Sequence, residues 1–273
     1  MEKINCVICN QYSNDPYITS ENLTFTLVKC YKCNLVYLNP RPTKNEIVEY
    51  YDDSYYPYLH KYDTFYDKLY TLVNKIALRW KKYHINKHSK NNEFILDVGS
   101  GNNNFIHFMK KNGEWLQSLS YDEYNKSTNT ISNIDNIKSN TCDVITFWHS
   151  LEHIHDINII LTKCKRILKK DGYIFIACPN INAIEKKYFN KSWIAYDFPR
   201  HLYHFSPNTI SKLLDKNNIK LISYHRMIHD TIFNIIKSKN SFLFAKIFIV
   251  VYSLIVITLF KKRSSSILYV CQI

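Results

Sequence analysis

Phe94-Ile95-Leu96-Asp97-Val98-Gly99-Ser100-Gly101 reads as a buried β-strand running into a glycine turn, followed by Asn102-Asn103-Asn104 and a helical run from Phe105. The chain has only four glycines, and two of them stand in this turn. Glycine tolerates positive φ and lets backbone amides approach a ligand closely. A strand ending in Asp-Val-Gly-x-Gly therefore points to a nucleotide-like ligand over the carboxyl end of a strand in an α/β sheet. The dinucleotide fingerprint Gly-x-Gly-x-x-Gly is not met, because Asn104 holds the third glycine position.

Around this turn, 273 residues hold one α/β domain and a small accessory module. The net charge of +13 suits an anionic partner such as a membrane surface or a phosphorylated substrate. The lysines are dispersed, which fits a solvated surface equally well. They form no stripe interleaved with aromatics, which argues against nucleic acid as a partner. Met1–Asn10 lacks the apolar core of a secretory signal, which favours a cytoplasmic setting.

Cys6-x2-Cys9 and Cys30-x2-Cys33 are the most specific pattern in the chain. Two such pairs fit a tetrahedral four-thiolate zinc site, structural rather than catalytic because no coordination position stays open. Two disulfides or a redox pair are the alternative, which the cytoplasmic setting disfavours. Cys142, Cys164, Cys178 and Cys271 fall singly in apolar runs and read as buried thiols. The expected division is a zinc module over 1–42, a helical connector over 43–91 and the main domain over 92–273. Thr43-x-x-Glu46 is a capping box for a helix through Tyr51. Residues 63–88 read as one amphipathic helix, with Tyr58, Tyr62, Tyr66 and Tyr70 as a packing stripe and His84 and His88 as solvated histidines.

In the main domain a second strand is expected at Trp115–Leu119, with Ser120 and Asp122 following it. Ser120 to Asp143 is too short for both a full helix and a full strand. Cys142–Trp148 is the next strand, and His149, Glu152 and His153 at its carboxyl end are the best acid–base candidates. Helix N-terminal capping and packing is the alternative role for Glu152 and His153. Helix 157–168, a turn at Lys169–Gly172 and strand 173–178 follow. Helix 207–216 and strands 219–225 and 266–272 complete a seven-stranded sheet.

Asp97-Val98-Gly99-Ser100-Gly101, Asp143–His153 and Leu168–Asn180 together resemble class I S-adenosylmethionine-dependent methyltransferases. Residues 30–42 and Asp197–Pro207 are similar to one branch, which carries an N-terminal four-cysteine module and serves surface-polysaccharide and modified-sugar pathways. The resemblance implies a Rossmann-like seven-stranded sheet, a zinc-ribbon module and a methyl transfer to a sugar or glycan precursor. It implies cofactor contacts from Asp97, Gly99, Ser100, Gly101, Phe147, Trp148 and His149, with Asp122 as ribose partner. His153 is the expected base, oriented by Glu152, with His149 and His201 as rivals, and Arg200 suits an anionic acceptor. Asn103 and Ser120 depart from the family pattern, so a degenerate scaffold protein is the alternative, as is a lipid or quinone methyltransferase.

Residues 241–260 form an apolar run flanked by Lys237, Lys239, Lys261, Lys262 and Arg263. It is long enough to span a bilayer, but strand 266–272 must return to the sheet beside strand 219–225. An excursion over about 228–262 that lies in the membrane interface meets both demands, and a lid or dimer contact is the alternative.

Overall fold

All five residues of Phe94–Val98 and all seven of Cys142–Trp148 are buried, the pattern of central strands covered on both faces. A computed structural model describes residues 1–51, 65–89, 93–112, 115–122, 130–131, 133–239 and 243–273, the side chains of 65–72 and 243 excepted. Of the tyrosine stripe, Tyr58 and Tyr62 lie outside the described residues, and Tyr66 and Tyr70 are described in backbone only. The strands are β1 (Pro16–Thr19), β2 (Thr26–Lys29), β3 (Val36–Leu38), β4 (Phe94–Val98), β5 (Gln117–Tyr121), β6 (Thr130–Ile131), β7 (Cys142–Trp148), β8 (Leu168–Pro179), β9 (Tyr203–His204), β10 (Lys220–Arg226) and β11 (Ser266–Gln272). The helices are α1 (Phe65–His88), α2 (Asn104–Lys111), α3 (Ile157–Ile167), α4 (Lys186–Phe189), α5 (Pro207–Lys216), α6 (Ile228–Lys237) and α7 (Leu243–Leu259).

Seven strands form the main sheet in the order β10-β11-β8-β7-β4-β5-β6. Only β11 runs antiparallel to its neighbours β10 and β8. The chain winds outward from β4 through β5 to β6, then returns to lay β7 on the other side of β4. The carboxyl ends of β4 and β7 thus flank a topological switch point, where open α/β sheets leave a crevice. Alternation divides the core: Ile95, Val144 and Trp148 pack with Ile85 of α1 and Phe105 and Ile106 of α2, while Leu96, Ile145 and Phe147 face the layer holding α3 and α5.

Several local expectations shift. The second strand ends at Tyr121 rather than Leu119, because Ser120 and Tyr121 continue the parallel ladder opposite Asp97 and Val98. The capping box forms, with the Thr43 amide and hydroxyl both donating to Glu46, but it starts only a short 3-10 turn at Ile47–Tyr50. The stretch Lys169–Gly172 is part of β8, not a turn. His84 is buried rather than solvated, stacked between Trp80 and His225 with ring centroids 4.2 and 4.3 Å away.

The second sheet joins the N-terminal segment to the main domain. Its order is β1-β2-β3-β9, so the loop after α4 supplies the strand that pairs Val36 with His204 and Tyr37 with Tyr203. Arg41, itself buried, donates to the Tyr203 hydroxyl at 2.8 Å and to Glu2 at 2.7 Å, and Tyr203 donates on to the His155 carbonyl at 2.9 Å. Removing that hydroxyl leaves a buried guanidinium and a buried carbonyl each short of a partner. Tyr203→Phe is therefore expected to lower stability by about 1–3 kcal/mol, a fall of a few degrees in Tm, measured by urea and thermal unfolding.

Candidate functional site

The glycine turn is fixed from below. Gly99 has φ +74, and a Cβ there would stand 2.3 Å from Ser150 Cβ, so glycine is required both by conformation and by space. Ser150 in turn donates to the Val98 carbonyl at 2.6 Å, locking the ends of β4 and β7 together. Gly101, at φ +51, has no heavy atom of the described residues within 4 Å of where its Cβ would be, so none of them covers that side of the turn. Its amide donates to Asp122 Oδ2 at 2.9 Å. The shifted end of β5 thus brings Asp122 beside the turn, two residues past the buried Ser120. Asn103 takes φ 61 without being glycine, a conformation asparagine tolerates, so the turn survives the lost glycine.

Asp97 is fully enclosed and accepts from the Thr146 hydroxyl at 2.6 Å; burial raises its pKa to about 7 against that hydrogen bond. Above it, Lys81 of α1 holds its ammonium 4.6 Å from the Trp148 ring. Burial depresses the Lys81 pKa, and the charges of Asp97 and Asp230 oppose that shift. Two polar atoms beside this turn, Ser100 Oγ and Trp148 Nε1, are buried without a hydrogen-bond partner among the described residues. A polar ligand over the turn would satisfy them, so the residues fit a nucleoside-type group.

The second half of the site follows β7. His149, with φ 54, sets its Nε2 2.8 Å from Asp230 Oδ2 at the start of α6 and its Nδ1 3.7 Å from Glu152. Burial works against charge on His149, but Asp230 and Glu152 hold its pKa up to about 10. Glu152 is completely buried in a 3-10 turn, Leu151–His153, and neither carboxylate oxygen has a hydrogen bond among the described residues. Burial alone would neutralise it; His149 and the neighbouring imidazoles keep its pKa low. His201 Nε2 lies 3.9 Å from the same carboxylate, with its Nδ1 on the Ala195 carbonyl.

His153 is held differently from expectation. Its Nδ1 lies 3.1 Å from the Arg200 carbonyl and 2.9 Å from the Tyr51 hydroxyl, and no hydrogen bond to Glu152 orients it. A carbonyl only accepts, so the proton sits on Nδ1 and the lone pair on Nε2. Burial, reinforced by the nearby His201, pushes its pKa down to about 4, which keeps the ring neutral. Arg200 is not free for an acceptor anion: its guanidinium forks onto Asp197 and donates to the Tyr50 carbonyl at 3.1 Å. The Phe147 side chain is enclosed in the core on the face opposite Trp148.

The four N-terminal cysteines meet. Cys6 and Cys33 sulfurs lie 3.3 Å apart, Cys9 and Cys30 sulfurs 3.4 Å, and all four fall within 4.8 Å of one another. A tetrahedron with metal–sulfur bonds of about 2.3 Å has edges of roughly 3.8 Å, so the set fits zinc. Each knuckle is built alike: Asn10 and Asn34 adopt positive φ and return their amides to the carbonyls of Cys6 and Cys30.

Lys81, Tyr51, Asp197 and Asp230 escaped the sequence reading. Tyr51 and Asp230 come from outside the sheet motifs, and nothing marks Lys81 among many lysines on α1. A cleft of about 510 Å³ opens elsewhere, lined by Phe94, Gln117, Thr130, Asn136 and Lys138. Among the described residues its lining contains no acid–base pair.

The family model described as "Methyltransferase domain" matches residues 62–224. The chain is 10% identical to the 1,6-didemethyltoxoflavin-N1-methyltransferase of Burkholderia thailandensis, solved with its substrate and S-adenosylhomocysteine, at a TM-score of 0.52 over 95% of this chain and 99% of that one. It is 16% identical to a SAM-dependent methyltransferase from Archaeoglobus fulgidus, at a TM-score of 0.47 over 74% of this chain and 94% of that one. At 10% identity the likeness to the Burkholderia enzyme establishes the fold alone. No curated protein matches the sequence.

Two outcomes are expected from this geometry. Metal analysis of the purified chain should find zinc, and Cys33→Ser should lose it together with at least about 3 kcal/mol of stability in urea unfolding. The His149–Asp230 pair should make stability depend on pH. His149 is raised above its ordinary 6.5, so its contribution is complete below pH 6.5 and fades towards pH 10; Asp230 is depressed below 3.8, so its contribution fades only in acid below that value. Urea unfolding at pH 6.5 and pH 10 should show a loss at the higher pH that Asp230→Asn largely removes.

Proposed function

The chain belongs to the methyltransferase-domain family, and from that we propose that it moves a methyl group from S-adenosylmethionine to a sugar or a cell-surface polysaccharide precursor. S-adenosylmethionine, when bound, supplies an electrophilic methyl on a sulfonium. Around it the chain's own residues would act as follows. The open side of Gly101 admits the nucleoside, Asp122 meets the ribose hydroxyls, and Ser100 Oγ and Trp148 Nε1 gain partners. Asp97 braces the turn from below through Thr146, and the Lys81 ammonium suits the carboxylate of the amino-acid part. The Asp230–His149–Glu152 chain carries two carboxylates against one imidazolium, and that net negative charge favours a cationic ligand.

His153 takes the acceptor's proton through Nε2, with the Arg200 carbonyl and Tyr51 hydroxyl fixing its tautomer and angle. A methyl transfer needs one proton removed and two reacting atoms held in line, and a half-buried neutral imidazole is suited to the first task. The sugar acceptor is supported by the pairing of β3 with β9. These are the two segments that resemble the polysaccharide branch, and here they form one sheet. Arg200 serves this reading by shaping the loop rather than by gripping an anion. Zinc would stay structural, holding β1–β3 against that loop.

The observation that carries the reading is the meeting, at one end of the sheet, of an open glycine turn with Asp122 and a histidine whose lone pair is set by a carbonyl. Asn103 in the left-handed region and Asp122 after the lengthened β5 answer the two departures that favoured a scaffold protein. Calorimetric titration with S-adenosylmethionine tests it. Wild type should bind, Asp122→Ala should bind at least about tenfold more weakly, and His153→Ala should bind nearly as wild type. No heat from wild type at millimolar ligand would leave the scaffold reading standing.

A further inference from the structure

The segment between β10 and β11 is an antiparallel excursion with an unusual surface. α7 buries Ile249, Ser253 and Ile257, spaced at i, i+4 and i+8, against the fold. Its opposite side exposes Phe244, Phe248, Val251, Ile255 and Leu259, and α6 adds exposed Phe233 and Ile236. Phe244 is 85% and Phe248 66% exposed. Aromatic and branched side chains left in water along two adjacent helices mark an interaction face rather than an ordinary surface.

Charge says what covers it. From Thr231 to Ile273 the chain contains no Asp or Glu, while Lys237, Lys239, Lys246, Lys261, Lys262 and Arg263 edge the apolar face. Lys246 is spent on the Ile236 and Ser238 carbonyls, where it closes the end of α6. The others are exposed at the two ends of the excursion. Two copies meeting through this face would bring one cationic rim against another, which disfavours a symmetric dimer. An anionic lipid surface offers the complement: phosphate headgroups for the lysines and acyl chains for the aromatic stripe.

The excursion cannot cross a bilayer. No helix among the described residues is long and apolar enough to cross a membrane. The 17 residues of α7 extend about 25 Å, short of the roughly 30 Å hydrocarbon layer. Both ends are anchored at one sheet edge, where Arg226 pairs with Ile267. We propose that α6 and α7 lie flat in the headgroup layer of an anionic membrane, Phe244 and Phe248 inserted and Lys261, Lys262 and Arg263 on the phosphates. α6 also carries Asp230, the partner of His149, so the docked face and the candidate site share one helix.

Co-sedimentation of the full chain with phosphatidylcholine vesicles, with and without phosphatidylglycerol, tests this. Binding should require phosphatidylglycerol and weaken as salt is raised. Phe244→Ser/Phe248→Ser should bind at least about tenfold more weakly while unfolding in urea as wild type does, since both side chains are exposed. Lys261→Ala/Lys262→Ala should lose the preference for anionic vesicles. A wild type that stays in the supernatant with anionic vesicles, or a phenylalanine variant that sediments equally, overturns the proposal. A wild-type dimer in size-exclusion chromatography that the phenylalanine variant splits, without vesicle binding, assigns the face to a second copy and overturns it as well.

Discussion

Glu152 is a completely buried carboxylate with no hydrogen bond to either oxygen among the described residues, and such a group stays ionised only if its surroundings supply positive charge. Groups from three elements converge on it. His149 comes from the end of β7, His201 from the loop after α4, and Asp230 on α6 keeps His149 protonated. Each contact draws a different element toward the carboxyl end of the sheet. The backbone reinforces them, because the Leu202 amide donates to the Glu152 carbonyl at 2.9 Å. Satisfying one buried charge thus assembles the walls of the site.

The same loop does a second job. Residues 197–205 place a carbonyl on His153, a histidine near Glu152 and a strand on the N-terminal sheet within a few residues of one another. The core is continuous across that join, running from Cys6 and Leu35 through Leu202 and Phe205 to Ile210. A small four-cysteine module has too little core to be rigid alone, so its packing on the loop stabilises both. Disturbing the cysteines should therefore reach the acid–base residues through packing rather than through charge.

What the sequence disclosed and what it hid divide by range. Local signals were legible: the two-residue knuckles, the glycine turn, the fully apolar strand Cys142–Trp148 and the Ser206-Pro207 helix start, whose capping box with Thr209 is formed. So was the placing of strand 266–272 beside strand 219–225, because the chain must return to the sheet it left. Long-range pairings were not legible. Nothing near Tyr51 announces that its hydroxyl meets His153, and nothing near Asp230 announces His149. Arg200 misled because a proline-arginine loop looks exposed, whereas Asp197 three residues earlier already holds the guanidinium. The end of β5 was misplaced by two residues because Ser120 is a poor local marker of a strand and interrupts the run before Tyr121. Only the neighbouring ladder on β4 extends it.

The β10–β11 join has a consequence for how this chain can vary. Arg226 and Ile267 face each other across the ladder, and the Met227 amide reaches the Ser266 carbonyl, so everything between them enters and leaves through one narrow gate. Lengthening a segment whose ends are already pinned adds little closure entropy. The sheet is therefore indifferent to what hangs from that gate. The start of α6 is the exception, because Asp230 there holds His149; beyond it, natural variation can exchange a greasy surface for a polar one without disturbing the strands.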